Sequence, residues 1–122
     1  MQKLRVVVAS PDDALCARTS GLLTNRGHLV VKQCASAIEA LEACFEETVD
    51  LAVVDEELPS ISGTNVAEIL RDLRYPVSTV VLLRGDGKSP AGEGHVLDPT
   101  REGFEAALLN LADSLAPRRN AG

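Results

Sequence analysis

The sequence predicts an α/β domain, a doubly wound five-stranded parallel sheet of order 2-1-3-4-5 with helices on both faces. Three observations carry this. Short β-branched runs at 4–9, 29–34, 51–54, 77–83 and 95–97 alternate with segments whose apolar residues recur at helical spacing. The centres of the middle runs, Val6 to Val8, Leu51 to Val54 and Val80 to Leu82, are apolar at every position, as strands buried on both faces must be. Strands alternating with helices at this spacing call for right-handed crossovers, and the flavodoxin-like order is the open doubly wound arrangement that suits five strands.

The elements follow in order. Leu4 to Ala9 is a buried strand, and Ser10-Pro11-Asp12-Asp13 opens a helix, with Ser10 placed to cap, Pro11 suited to the first helical position and two carboxylates favourable at the N-terminus. Leu15, Thr19, Leu22 and Leu23 give that helix an inward stripe, and Gly27 stops it. Leu29 to Cys34 is the second strand. Ser36 and Glu39 form a capping box for a second helix whose inner face is expected to carry Ile38, Leu41 and Phe45. The third strand, Leu51 to Val54, ends on Asp55. Val66, Ile69, Leu70 and Leu73 mark a third helix that must end before Tyr75-Pro76.

After the fourth strand, Val77 to Leu83, the alternation fails. Arg84 to Gly94 contains Gly85, Gly87, Gly92, Gly94 and Pro90, too many breakers for a stable helix. Extended, it reaches roughly 36 Å, enough to join two strands unaided. The covering helix between the fourth and fifth strands should therefore be missing or a single turn. His95 to Leu97 is a short fifth strand, and Thr100 is placed to cap a last helix carrying Phe104, Leu108, Leu111 and Leu115. The domain is expected over 1–115, with 116–122 as a tail or linker.

Composition excludes several functions. A chain of 122 residues, 45% hydrophobic, supplies one core, built from Val, Leu, Ile and Ala because there are two Phe, one Tyr and no Trp. The net charge of −6 disfavours nucleic-acid binding, which needs a basic face. No apolar stretch approaches the roughly 20 residues of a membrane span, and the chain runs from Met1 straight into a strand with no signal peptide, so a cytoplasmic location is expected. Cys16, Cys34 and Cys44 lack the close spacing of zinc or redox motifs and read as small apolar residues, and His28 and His95 do not resemble metal ligands.

The chemically informative stretch runs from Leu51 to Gly63. A buried strand ends on Asp55 at the sheet edge where ligands gather, and a loop with Glu56, Glu57, Pro59 and Gly63 follows. This pattern closely resembles the phospho-acceptor segment of bacterial response-regulator receiver domains, the phosphorelay modules of two-component signalling, with Asp55 on the acceptor. The resemblance covers nearly the whole chain. It implies a magnesium site: an acidic pair at the first strand tip, the acceptor, a hydroxyl at the fourth tip and a Lys before Pro at the fifth. Cations are needed there because a carboxylate attacks a phosphoryl group only if the accumulating charge is neutralised.

This chain departs from that pattern. Ser10 and Pro11 stand where the acidic pair belongs, Arg84 falls at or near the hydroxyl position, and Asp98 replaces the Lys before Pro99. Asp12 and Asp13 lie one or two residues beyond the expected pair, leaving a metal set of Asp12, Asp13 and Asp55 open. At an effective dielectric near 20, a like charge about 6 Å from a phosphoryl group opposes it by roughly 3 kcal/mol, where a Lys would attract by a similar amount. The residues thus favour a pseudo-receiver, a non-enzymatic module that binds a protein partner or fused effector domain and needs no cofactor. The alternative is a phosphorylation-switched receiver using Mg²⁺ and Asp55. A third reading, a small nucleotide- or flavin-binding enzyme, conflicts with Leu82 in place of the first glycine of a phosphate loop around Gly85, Gly87, Lys88 and Ser89, and with Ser10-Pro11-Asp12 where a glycine-rich turn would stand.

Two further expectations concern surfaces. In receivers, the face made by the fourth helix, fifth strand and fifth helix commonly carries dimer and output contacts, so a stunted helix would leave Leu97 and Phe104 less covered. Arg84, with its two-pronged guanidinium, is expected to pair with Asp55 and Asp98.

Overall fold

A computed structural model describes residues 4–72, 77–85 and 95–115. The five strands are β1 (Arg5–Ala9), β2 (Leu29–Cys34), β3 (Val49–Asp55), β4 (Val77–Leu83) and β5 (Val96–Leu97), all parallel, in the order β2-β1-β3-β4-β5. Among the described residues the helices are α1 (Asp13–Asn25), α2 (Ala37–Glu46), α3 (Gly63–Asp72) and α4 (Phe104–Leu115). The stunted helix expected between β4 and β5 falls on 86–94, and the tail on 116–122, both outside the described residues.

The apolar runs of β1 and β3 are buried on both sides because successive residues feed opposite faces of the sheet. Val7, Ala9, Ala52 and Val54 pack under α2 and α3, whereas Val6, Val8, Leu51 and Val53 pack under α1 and α4 with Leu23, Phe104 and Leu108. Val81 and Leu82 complete the buried centre, and Val80 is partly covered. Gly27 ends α1 at φ 97°, with its N–H on Thr24 and the N–H of His28 on Leu23, the paired bonds of a Schellman stop.

Several expectations are corrected. α1 starts at Asp13, and Asp12, not Ser10, is its cap, accepting from Leu15 N at 3.1 Å. Pro11 therefore lies outside the helix. Ser10 is unavailable because its hydroxyl is engaged elsewhere. The buried stripe of α1 is Cys16, Thr19, Ser20 and Leu23, with Leu15 and Leu22 at its margin.

In α2 the capping box forms, Ser36 accepting from Glu39 N at 3.2 Å, but the helix is turned from the expected face. Ala37, Ala40, Ala43 and Cys44 are buried, while Ile38 is 56% and Phe45 74% exposed. Small side chains let the helix axis approach the sheet closely, and this packing overrides the pull of the larger residues.

In α3, Gly63, Val66, Ala67 and Leu70 are buried, Ile69 is at the margin and Leu73 lies outside the described residues. Thr100 does not cap α4, which begins after Gly103 at φ 94°. Phe104 is buried, with the Arg18 guanidinium 5.3 Å above its ring, so it is not the uncovered residue expected from the sequence.

Candidate functional site

The site forms where β1 and β3, paired directly, end side by side. The chain leaves β1 through Ser10, whose N–H is held by Cys34 O at 3.0 Å. That contact turns the Ser10 hydroxyl inward, where it donates to Asp55 Oδ2 at 2.7 Å and accepts from Asp12 N at 3.1 Å. The other Asp55 oxygen, Oδ1, accepts from Glu57 N at 2.8 Å, a turn that an Asp side chain makes readily. Asp55 is only 7% exposed, so both carboxylate oxygens are held by protein donors within a nearly closed site.

Gly63 lies against the backbone of Asp55. A Cβ on Gly63 would fall 2.6 Å from Asp55 O and 2.7 Å from Leu82 Cδ1, so glycine is required by close approach. Beside it, Glu56 closes the loop. Its Oε1 accepts from Thr64 N at 2.7 Å, in the first turn of α3, where exposed N–H groups favour an anion. The Thr64 hydroxyl lies 2.8 Å from the same carboxylate.

The Arg84 guanidinium meets Glu56 Oε2 at 3.3 Å. This corrects the expected pairing with Asp55: Ser10 and Glu57 fill the Asp55 oxygens first, and Glu56 presents the nearer carboxylate. Asp98 likewise turns to its own loop, accepting from Thr100 N at 2.9 Å and Thr100 Oγ1 at 2.6 Å, with Arg101 Nε 3.7 Å from its other oxygen. Pro11 and Asp13 are exposed on the loop and first turn of α1, and Glu57 contributes its backbone N–H while its side chain is exposed.

The structure thus brings Ser10, Asp55 and Glu57 into one hydrogen-bonded group and Glu56, Arg84 and Thr64 into a second. Thr64 is the participant that the sequence reading missed. Its signal was a hydroxyl residue directly after Gly63 at a helix start, with a Glu eight positions back.

A magnesium site needs oxygens converging in octahedral geometry, with carboxylates among them. Here Asp12 Oδ1 accepts the α1 cap bond from Leu15 N, the Ser10 hydroxyl donates a hydrogen bond to Asp55, and among the described residues no group of three His, Cys, Asp or Glu side chains converges. As arranged here, Asp12, Asp13 and Asp55 do not converge as a group of three carboxylates.

The thiols are no better suited to chemistry. Burial pushes Cys34 and Cys44 up to about 11, so both are protonated at neutral pH. Among the described residues no helix is long and apolar enough to cross a membrane.

Comparison with known proteins places this geometry. The profile of the response regulator receiver domain matches residues 6–94. The signal receiver domain of the response regulator NarL from Mycobacterium tuberculosis superposes with a TM-score of 0.78 at 24% identity, over 93% of this chain and 98% of that one. A CheY-like receiver domain protein from Methanospirillum hungatei gives 0.78 at 21% identity, over 98% and 99%. The receiver domain of the sensor histidine kinase PA1611 from Pseudomonas aeruginosa, whose structure has a magnesium ion coordinated in its active-site cleft, gives 0.79 at 15% identity, over 93% and 97%. A search of curated proteins finds no significant match.

Proposed function

The chain belongs to the response-regulator receiver family, and from that premise we propose that it is a pseudo-receiver: a two-component signalling module that acts by binding a protein partner or fused effector domain, with its Asp55 site held in one state by its own side chains. The observation that carries this reading is the 2.7 Å hydrogen bond from Ser10 to Asp55 Oδ2. A residue at the position of a metal-binding acid instead supplies a proton donor, doing permanently, and more weakly, what a cation would do transiently.

Glu57 N on Oδ1 and the capping role of Asp12 support the same reading. In it the module performs no catalysis of its own and binds neither nucleic acid nor membrane. The receiver unit spans 1–115, and 116–122 serves as a tail or linker.

The test is a titration of the isotopically labelled protein with beryllium fluoride and magnesium, followed by nuclear magnetic resonance. The expected outcome is unchanged amide resonances around Asp55. Saturable, magnesium-dependent shifts there would establish the second reading, a phosphorylation-switched receiver. That reading is favoured by Asp55 itself, a carboxylate at the β3 tip, and by the exposed Asp13 in the first turn of α1, the helix that follows β1.

A further inference from the structure

We propose that the outward face of α2 is a docking surface for a basic amphipathic helix of a partner protein. The inference deepens the interaction role proposed above and rests on it only for the existence of a protein partner.

Ile38, Leu41 and Phe45 recur at helical spacing and form a single stripe. Among the described residues, the large apolar side chains that stand exposed are Leu29, Ile38 and Phe45, so two of the three belong to this stripe. Leu41 anchors its inner edge against the core, and Ile38, Leu41, Glu42 and Phe45 line a shallow depression of about 330 Å³. The fold does not need these residues outside, since α2 meets the sheet through Ala37, Ala40, Ala43 and Cys44. A chain with two Phe that leaves one of them 74% exposed, beside an exposed Ile, presents the kind of contiguous apolar surface that marks an interaction site.

Charge selects the occupant. Glu39, Glu42, Glu46 and Glu47 are all exposed, and no Lys or Arg stands between Ala37 and Glu47. Glu47 pairs with Arg5 at 2.7 Å and Glu39 lies 3.9 Å from Lys32, so among the described residues it is Glu42 and Glu46 that carry uncompensated charge beside the stripe. At helical spacing, Glu42, Glu46 and Glu39 line one edge of the apolar stripe. A second copy of this chain would set acid against acid. A membrane surface is disfavoured for the same reason, because helices that lie on lipid carry Lys and Arg beside their apolar face. The complement is a helix with its own apolar stripe flanked by Lys or Arg, which packs against Ile38, Leu41 and Phe45 and pairs with the glutamates.

The test uses a synthetic amphipathic helical peptide of about six turns with a Leu stripe flanked by Lys, and a twin with Glu in place of Lys. The cationic peptide should bind saturably and shift resonances centred on Ile38, Leu41 and Phe45, whereas the anionic twin should not. The double variant Ile38→Ser/Phe45→Ser should keep its far-ultraviolet circular dichroism and lose affinity by about tenfold or more. Glu42→Lys/Glu46→Lys, which leaves the apolar stripe intact, should weaken the cationic peptide and admit the anionic one.

Binding that survives both variants, or shifts that map elsewhere, would overturn the proposal. So would a dimer in the free protein that Phe45→Ser dissolves, or adsorption to anionic vesicles that it abolishes. The beryllium fluoride titration on the same samples reads the Asp55 site separately, so the two readings can fail independently.

Discussion

Two buried carboxylates stand on β3, at opposite ends of the same strand, and they are held in different ways. Asp50, at the foot, is 4% exposed and accepts the backbone N–H of Arg5 at 2.9 Å, where β1 begins. Asp55, at the tip, is 7% exposed and accepts one side-chain hydroxyl and one turn N–H. The Asp50 bond belongs to the main chain of the neighbouring strand, so no substitution of Arg5 removes the donor except proline. The Ser10 bond depends on a single rotatable hydroxyl. A carboxylate at the foot therefore works as a fixed fastening between strands, and one at the tip as a site whose state is decided by its neighbours.

The largest effect that would break this contrast is at the tip, where Gly63 lies against the Asp55 backbone. Gly63→Ala places a methyl group against Asp55 O and Leu82 Cδ1, and because the carbonyl belongs to the central strand it cannot give way cheaply. A loss of about 1–3 kcal/mol is expected in urea unfolding. An unchanged midpoint would mean that α3 slides freely past β3. Ser10→Ala is next: it leaves Asp55 Oδ2 without its donor in a buried setting, for a loss of roughly 1–2 kcal/mol. Ser10→Asp sharpens the contrast further, because two carboxylates would face each other. The variant should be destabilised at low salt and recover on adding magnesium, while the wild-type melting temperature stays unmoved by the ion.

Much of this was legible in the sequence. The strand runs, the order of the sheet and Asp55 at a strand tip follow from β-branched runs and their breaks, because burial on both faces leaves few other patterns. The helix faces were harder to read. The expected stripe of Ile38, Leu41 and Phe45 ignored Ala37, Ala40 and Cys44, which hold the same spacing with small side chains. Period alone cannot say which of two stripes faces the sheet when close packing competes with hydrophobic size. Within the site, proximity of Ser10 and Asp55 was readable from strand order, but partner choice was not. Arg84 and Asp98 each met nearer groups, Glu56 and Thr100, and such local competition is invisible without distances.

The foot of the sheet offers a pH test of the same contrast. His28 Nδ1 accepts from Leu4 N at 3.2 Å, so the neutral ring carries its proton on Nε2, 3.9 Å from Asp113 Oδ1. Protonating Nδ1 would set two donors against each other. Burial holds the ring below its usual value of 6.5, and Asp113 opposes this only in part. Since the unfolded chain takes up the proton at a higher pH than the folded one, the contribution of His28 is fully present above about 6.5 and is lost as pH falls through the folded value. Urea midpoints measured down through this window should decline, and His28→Gln should flatten that component. An unchanged slope in the variant would assign the decline to other groups.

The smallest expected effect concerns Arg84, and it decides whether the second cluster at the tip is a lock or a surface contact. Its guanidinium lies 3.3 Å from Glu56, with the two side chains 33% and 18% exposed, a setting in which solvent screens much of the attraction. Glu56 is already satisfied by Thr64 N and Thr64 Oγ1, so losing Arg84 does not strand a buried charge. Arg84→Gln should therefore cost below about 1 kcal/mol, and a double-mutant cycle with Glu56→Gln should return a coupling of similar size that shrinks in high salt. Glu56→Gln alone should cost more than Arg84→Gln, because an amide has one acceptor oxygen where the carboxylate has two for the α3 N-terminus and the Thr64 hydroxyl. A salt-insensitive coupling above about 2 kcal/mol would invert the assignment. Arg84 would then be a desolvated clamp on the β3–α3 loop, and the tip would be fastened as firmly as the foot.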